Sequence, residues 1–63
     1  MQTLPPDYSL EVMHDPGQVG GWYWVLWYKK NNFIDESTPS LYATRELAEQ
    51  AGIAFANYYN NLS

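Results

Sequence analysis

The stretch Gly-Gly-Trp-Tyr-Trp-Val-Leu-Trp-Tyr-Lys-Lys, residues 20–30, sets three tryptophans and two tyrosines within the seven positions from Trp22 to Tyr28. Aromatic and branched residues at this density form a β-strand. Successive side chains of a strand point to opposite faces, so this one is apolar on both. One face belongs to the core of the domain, and the other needs a second cover.

The segment upstream supplies the strand's partner. In Tyr8-Ser9-Leu10-Glu11-Val12-Met13-His14 the residues alternate, with Tyr8, Leu10, Val12 and His14 on one side and Ser9, Glu11 and Met13 on the other. Between the two runs, residues 15–21 (Asp-Pro-Gly-Gln-Val-Gly-Gly) carry proline and three glycines, a loop signal. An antiparallel hairpin that opposes His14 to Trp22 sets Val12 by Trp24, Leu10 by Leu26 and Tyr8 by Tyr28, giving one continuously apolar face. The other face pairs Ser9 with Trp27, Glu11 with Val25 and Met13 with Tyr23. A slip of one residue would mix the two faces, so this register is favoured.

Downstream, Asn31 and Asn32 tolerate a left-handed backbone and predict a tight turn there. Phe33-Ile34-Asp35-Glu36-Ser37 then returns as a third strand with a short, charged edge that resists further pairing. Its register stays open, because two- and three-residue turns give opposite facings to Phe33 and Ile34. A helix closes the chain over residues 44–61, with Thr44 as its N-cap and Glu46 in its first turn. Leu47, Ala51, Ala54, Phe55, Tyr58 and Leu62, flanked by Ala48 and Tyr59, recur at helical spacing and predict the face that meets the sheet. The alanines, with Gly52 nearby, allow a close approach to bulky strand residues. Residues 1–7, with tandem prolines, read as an extended lead-in. The expected fold is therefore α+β: one domain over residues 1–63, with a three-stranded antiparallel sheet in 8–37 and a C-terminal helix on one face.

Composition narrows the function classes. A chain of 63 residues has a thin core, and without cysteine it has neither disulfides nor thiolate metal sites. No window is long and apolar enough to span a membrane, and the N-terminus has no leader pattern, so a cytoplasmic protein is expected. Seven acidic residues against three basic ones give a net charge of −4, which disfavours nucleic-acid phosphates and anionic membranes. Chemistry is sparse as well. His14 and Asp15 are neighbours on a strand end and do not converge on a nucleophile. Asp35 and Glu36 lack the cleft that paired carboxylates need. The Gly-Gln-Val-Gly-Gly run lacks the lysine and helix start of a phosphate loop. No enzyme, cofactor, metal site or small-molecule substrate is expected.

The uncovered sheet face then becomes the candidate site. Met13, Tyr23, Val25 and Trp27 form its apolar contact set, with Asp35, Glu36, Glu46 and Glu49 as secondary acidic contacts and Ile53 as a minor candidate on the helix. The expected role is protein binding, to another protein or to a second copy. A compact phage-type inhibitor that occludes a host nuclease or nucleic-acid-binding protein is the alternative, and base stacking on the rings is the third reading. Trp24, Tyr42, Thr44, Arg45 and Ala48, within residues 8–60, also resemble a pattern in small uncharacterised bacterial and phage domains. In those, a tryptophan-bearing hairpin and a third strand lead through an aromatic residue, a Thr or Ser and a basic residue into an alanine-rich helix. The resemblance implies a β-β-β-α arrangement, often paired or tandem, from which this chain departs in its acidic balance and ring density.

Overall fold

The computed structural model describes residues 2–17, 19–38 and 41–62. Three strands, β1 (Tyr8–His14), β2 (Trp22–Tyr28) and β3 (Asn32–Glu36), form an antiparallel sheet in the order β1-β2-β3, and α1 (Arg45–Leu62) follows. The fold is α+β, as expected. The first hairpin takes the apolar-matched register throughout, from Tyr8 opposite Tyr28 to His14 opposite Trp22. Asp15 N–H extends the pairing by donating to Gly21 O at 2.7 Å. In the loop between them Gly20 and Gly21 have φ of 77° and 62°, and a Cβ on Gly20 would lie 3.1 Å from Ala43 Cα. The loop thus needs glycine both for its backbone angles and for its approach to the segment entering α1.

The second turn differs from the expected one. Tyr28 pairs with Asn32, so the loop is Lys29-Lys30-Asn31, and the positive φ values fall on Lys29 (50°) and Lys30 (68°). Asn32 is already in β3. Lys29 N–H donates to Asp7 O at 2.7 Å, and Asn31 N–H donates to Lys29 O at 2.8 Å, so the turn is held from both sides. A left-handed backbone costs a residue with a Cβ about 1–2 kcal/mol. Lys30→Gly is accordingly expected to stabilise the protein by about 0.5–1 kcal/mol, net of the extra entropy of unfolded glycine. Urea unfolding of the variant beside the parent measures it.

The third strand resolves its register with a bulge. Trp27 faces Phe33 and Leu26 faces Asp35, which leaves Ile34 as the extra residue between them. Ile34 packs against the core while Phe33 joins Trp27 on the opposite face. Beyond β3 the chain continues to satisfy β2. Ser37 N–H donates to Trp24 O at 2.9 Å, and Ser37 Oγ accepts from Trp24 N–H at 2.8 Å. Trp22 and Tyr42 then exchange a backbone pair at 3.0 and 2.6 Å. Ser37, expected on a solvated edge, is therefore buried, and its hydroxyl takes the place of a strand carbonyl. Ser37→Ala would leave a buried N–H unpaired and is expected to cost about 1–3 kcal/mol, read as a lower midpoint in thermal unfolding.

Tyr8, Trp24, Leu26 and Ala56 form the centre of the core, with Leu4, Leu10, Tyr28, Ile34, Tyr42, Ala51 and Phe55 packed around them. Thr44 caps α1 as expected, its Oγ1 accepting from Leu47 N–H at 3.2 Å. The face of α1 that meets the sheet is rotated from the expected stripe. Ala48, Gly52 and Ala56 are the buried residues; Ala51 and Phe55 are half-buried, and Leu47, Ala54, Tyr58 and Leu62 are exposed. The cause is volume. The sheet raises Tyr8, Leu10, Trp24 and Leu26 toward the helix, so its line of smallest residues, spaced every four, seats against them. The lead-in lies on this same side: Leu4 packs on the core, Pro5 is buried, and Asn57 Nδ2 donates to Thr3 O at 2.9 Å.

Candidate functional site

With α1 and the lead-in on one side, the other side of the sheet is built from alternate residues of three strands. Cross-strand pairing arranges it in rows: Met13 beside Tyr23, then Glu11-Val25-Glu36, then Ser9-Trp27-Phe33. Phe33 is 53% exposed and Met13 42%, whereas Tyr23 and Trp27 are half-buried. Trp27 and Phe33 meet edge to face with centroids 5.7 Å apart at 78°, a favoured aromatic geometry that fixes both rings. The Trp27 indole N–H is buried and has no hydrogen-bond partner.

Three of the four apolar candidates thus present surface. Val25 does not: it is 9% exposed. Two participants escaped the sequence reading. Phe33 did so because its facing depended on the turn, and Glu11 because it was taken only as the polar half of an alternating strand. The acidic candidates separate. Glu36 stands across Val25 from Glu11, but Asp35 is opposite Leu26 and its Oδ1 accepts from Glu36 N–H at 2.8 Å. Glu46 and Glu49 lie on α1, lining a hollow with Gln2, Gln50 and Ile53, and Glu49 pairs with Arg45 at 3.7 Å. The site is therefore apolar at both ends and acidic across its middle.

A second concavity, of about 300 Å³, opens beside the core, lined by Tyr8, Tyr28, Asn32, Phe33, Ile34, Tyr59 and Asn60. It exists because α1 packs on β1 and β2 and does not reach β3. Tyr8 touches Tyr28 at 5.1 Å and Tyr59 at 6.4 Å between centroids. Burial, and then the neighbouring phenols of Tyr28 and Tyr59, raise the Tyr8 phenol above its ordinary value near 10. The folded state therefore holds this proton more tightly than the unfolded chain does. Its contribution is complete below the unfolded value and is lost as pH rises through the folded one. Urea midpoints are expected to fall above about pH 10, and Tyr8→Phe should flatten that fall.

His14 packs on Trp22 with ring centroids 4.7 Å apart and planes tilted by 39°, at the strand end where it was expected. Among the described residues no three of His, Cys, Asp and Glu gather as a metal site, and no helix is long and apolar enough to cross a membrane. The chain matches no family model, no curated protein and no solved structure.

Proposed function

We propose that the protein is a non-enzymatic binding module that uses the open sheet face to hold another protein. The observation that carries this reading is the Ser9-Trp27-Phe33 row: a ring pair fixed by its own edge-to-face contact, with Phe33 half out of the surface. Rigid aromatics of this kind lose little entropy on binding and act as anchors. The acidic middle row defines the partner's chemistry. Glu11 and Glu36 flank Val25, so a complementary surface offers an apolar pocket for Phe33 and basic side chains for the two carboxylates. An inhibitor that covers a basic groove of a nucleic-acid-binding protein would use the same row, which is the observation that favours the alternative reading.

Affinity capture from an extract of the source organism, with the parent protein and Phe33→Asp side by side, tests the proposal. A protein retained by the parent and lost by the variant is then purified and titrated. Phe33→Asp is expected to weaken that complex by about 30-fold or more, the effect of removing a central anchor. Glu11→Gln with Glu36→Gln should slow association and flatten its salt dependence. Equal retention by parent and Phe33→Asp would refute the sheet face as the binding site.

A further inference from the structure

The ladder between β1 and β2 fixes which way each backbone group of β1 points. Asp15 N–H donates to Gly21 O and Lys29 N–H donates to Asp7 O, both at 2.7 Å, at the two ends of an unbroken register. Bonded and non-bonded pairs alternate along an antiparallel ladder, so Ser9, Glu11 and Met13 turn their N–H and C=O groups toward β2. Leu10, Val12 and His14 turn theirs outward. The lead-in closes this outer edge only at Tyr8, whose N–H donates to Pro5 O at 3.3 Å. No described residue bonds to the outward groups of Leu10, Val12 and His14. The opposite edge of the sheet is guarded: β3 is short, bulged at Ile34 and charged at Asp35 and Glu36. The seven residues of β1 carry none of these guards except Glu11, and they hold no proline, lysine or bulge.

We infer that the free edge of β1 takes an extended segment of a partner protein as a fourth, antiparallel strand, in which apolar residues beside Leu10 and Val12 alternate with basic residues beside Glu11. Main-chain bonds to Leu10, Val12 and His14 hold such a strand, and its side chains select it. On the helix side it lies against Leu10 and Val12, both half-buried, which calls for apolar residues. On the open side it meets exposed Glu11 in a non-bonded pair, where side chains approach most closely. Glu11 and Asp15 are the only acidic residues between 8 and 28, and no lysine or arginine occurs there to neutralise them. The same charges reject a second copy. A two-fold pairing of β1 with itself centred on Glu11 opposes Glu11 to its own copy, and one centred on Leu10 or Val12 sets the two Glu11 residues on the diagonal; like charges so placed repel. The edge site is independent of the open-face reading, sharing only Glu11 with it.

Amide hydrogen exchange, resolved by residue in NMR spectra, tests the inference with a blocked octapeptide of alternating valine and lysine as the probe. In the protein alone, the Leu10, Val12 and His14 amides are expected to exchange faster than those of Glu11 and Met13. Adding the peptide should slow these three selectively. N-methylation of its valines, whose amides face β1 when valine lies beside Leu10 and Val12, should abolish binding, whereas N-methylation of its lysines, whose amides face away, should not. An alternating valine–glutamate peptide should bind at least about 10-fold more weakly, and Glu11→Gln should weaken the valine–lysine peptide about 3-fold. The inference is overturned if the peptide leaves the three amides unslowed at millimolar concentration, if valine N-methylation is tolerated, or if the glutamate peptide binds equally well. Slowing of the same amides by raised protein concentration alone would assign the edge to a second copy and overturn it too.

Discussion

Gly52→Leu is expected to abolish cooperative folding. Gly52 sits in the middle of α1, where propensity alone favours replacement: alanine there would gain about 1 kcal/mol in an isolated helix. The sheet forbids it. A Cβ at residue 52 would lie 2.6 Å from Leu10 Cδ1, 3.0 Å from Leu10 Cδ2 and 3.0 Å from Trp24 Cγ. The Leu10 methyls can swing aside, but Trp24 Cγ is the root of a ring clamped by its own packing. Gly52→Ala should therefore come out about 1 kcal/mol less stable, overpacking outweighing propensity. Leucine adds three further carbons at the point of closest approach and lifts the helix off the sheet. The loss then exceeds the ~3–5 kcal/mol that a core of this size supplies. Circular dichroism through a thermal scan separates the cases: a lowered, still sigmoidal transition for Gly52→Ala, and no transition for Gly52→Leu. A Gly52→Ala variant more stable than the parent would mean that α1 stands farther from Trp24 than these distances state.

That close approach also explains which parts of the molecule can be read from its sequence. The first hairpin was fully legible, down to each cross-strand pair, because Tyr8 to His14 alternates and any slip would set Glu11 or Ser9 among the core rings. The helix was legible in extent and cap, but not in rotation. Leu47, Tyr58 and Leu62 dominate its hydrophobic pattern, whereas the sheet selects for smallness and draws in Ala48, Gly52 and Ala56. Depth of burial was set by the partner's volume, which no local pattern contains. The turn at Lys29 and Lys30 was illegible for a related reason: Asn31 and Asn32 carry the local turn preference, and the bond from Lys29 to Asp7, 22 residues away, overrides it. Moving that turn moved Phe33 onto the open face and Ile34 into the core. Of the candidate site, Met13, Tyr23 and Trp27 followed from alternation. Phe33 and the pairing of Glu11 with Glu36 across Val25 needed the third strand's bulge, which has no signature in Phe-Ile-Asp-Glu.

The second large effect lies at Trp24, and comparing two substitutions there isolates its cause. Trp24 is 5% exposed and stacks on Phe55 with centroids 5.1 Å apart. It holds up the floor beneath Gly52, and both its backbone N–H and its C=O are bonded to Ser37, while Val12 stands opposite it on β1. Trp24→Ala removes the largest ring of the core and should cost about 3–5 kcal/mol, the whole margin of a domain this small, leaving the chain unfolded at room temperature. Trp24→Phe removes less than its lost volume implies, because the Trp24 indole N–H is buried without a hydrogen-bond partner. Burying that donor unpaired already costs the parent about 1–3 kcal/mol, and phenylalanine relieves it while keeping a ring against Phe55. The net loss for Trp24→Phe should be about 1 kcal/mol or less, leaving a folded protein whose urea midpoint falls only slightly. If Trp24→Phe instead proved as damaging as Trp24→Ala, the indole nitrogen would have a partner in solution, an ordered water held between α1 and the sheet, and the contact between Gly52 and Trp24 would be looser than the packing of Ala48, Gly52 and Ala56 requires.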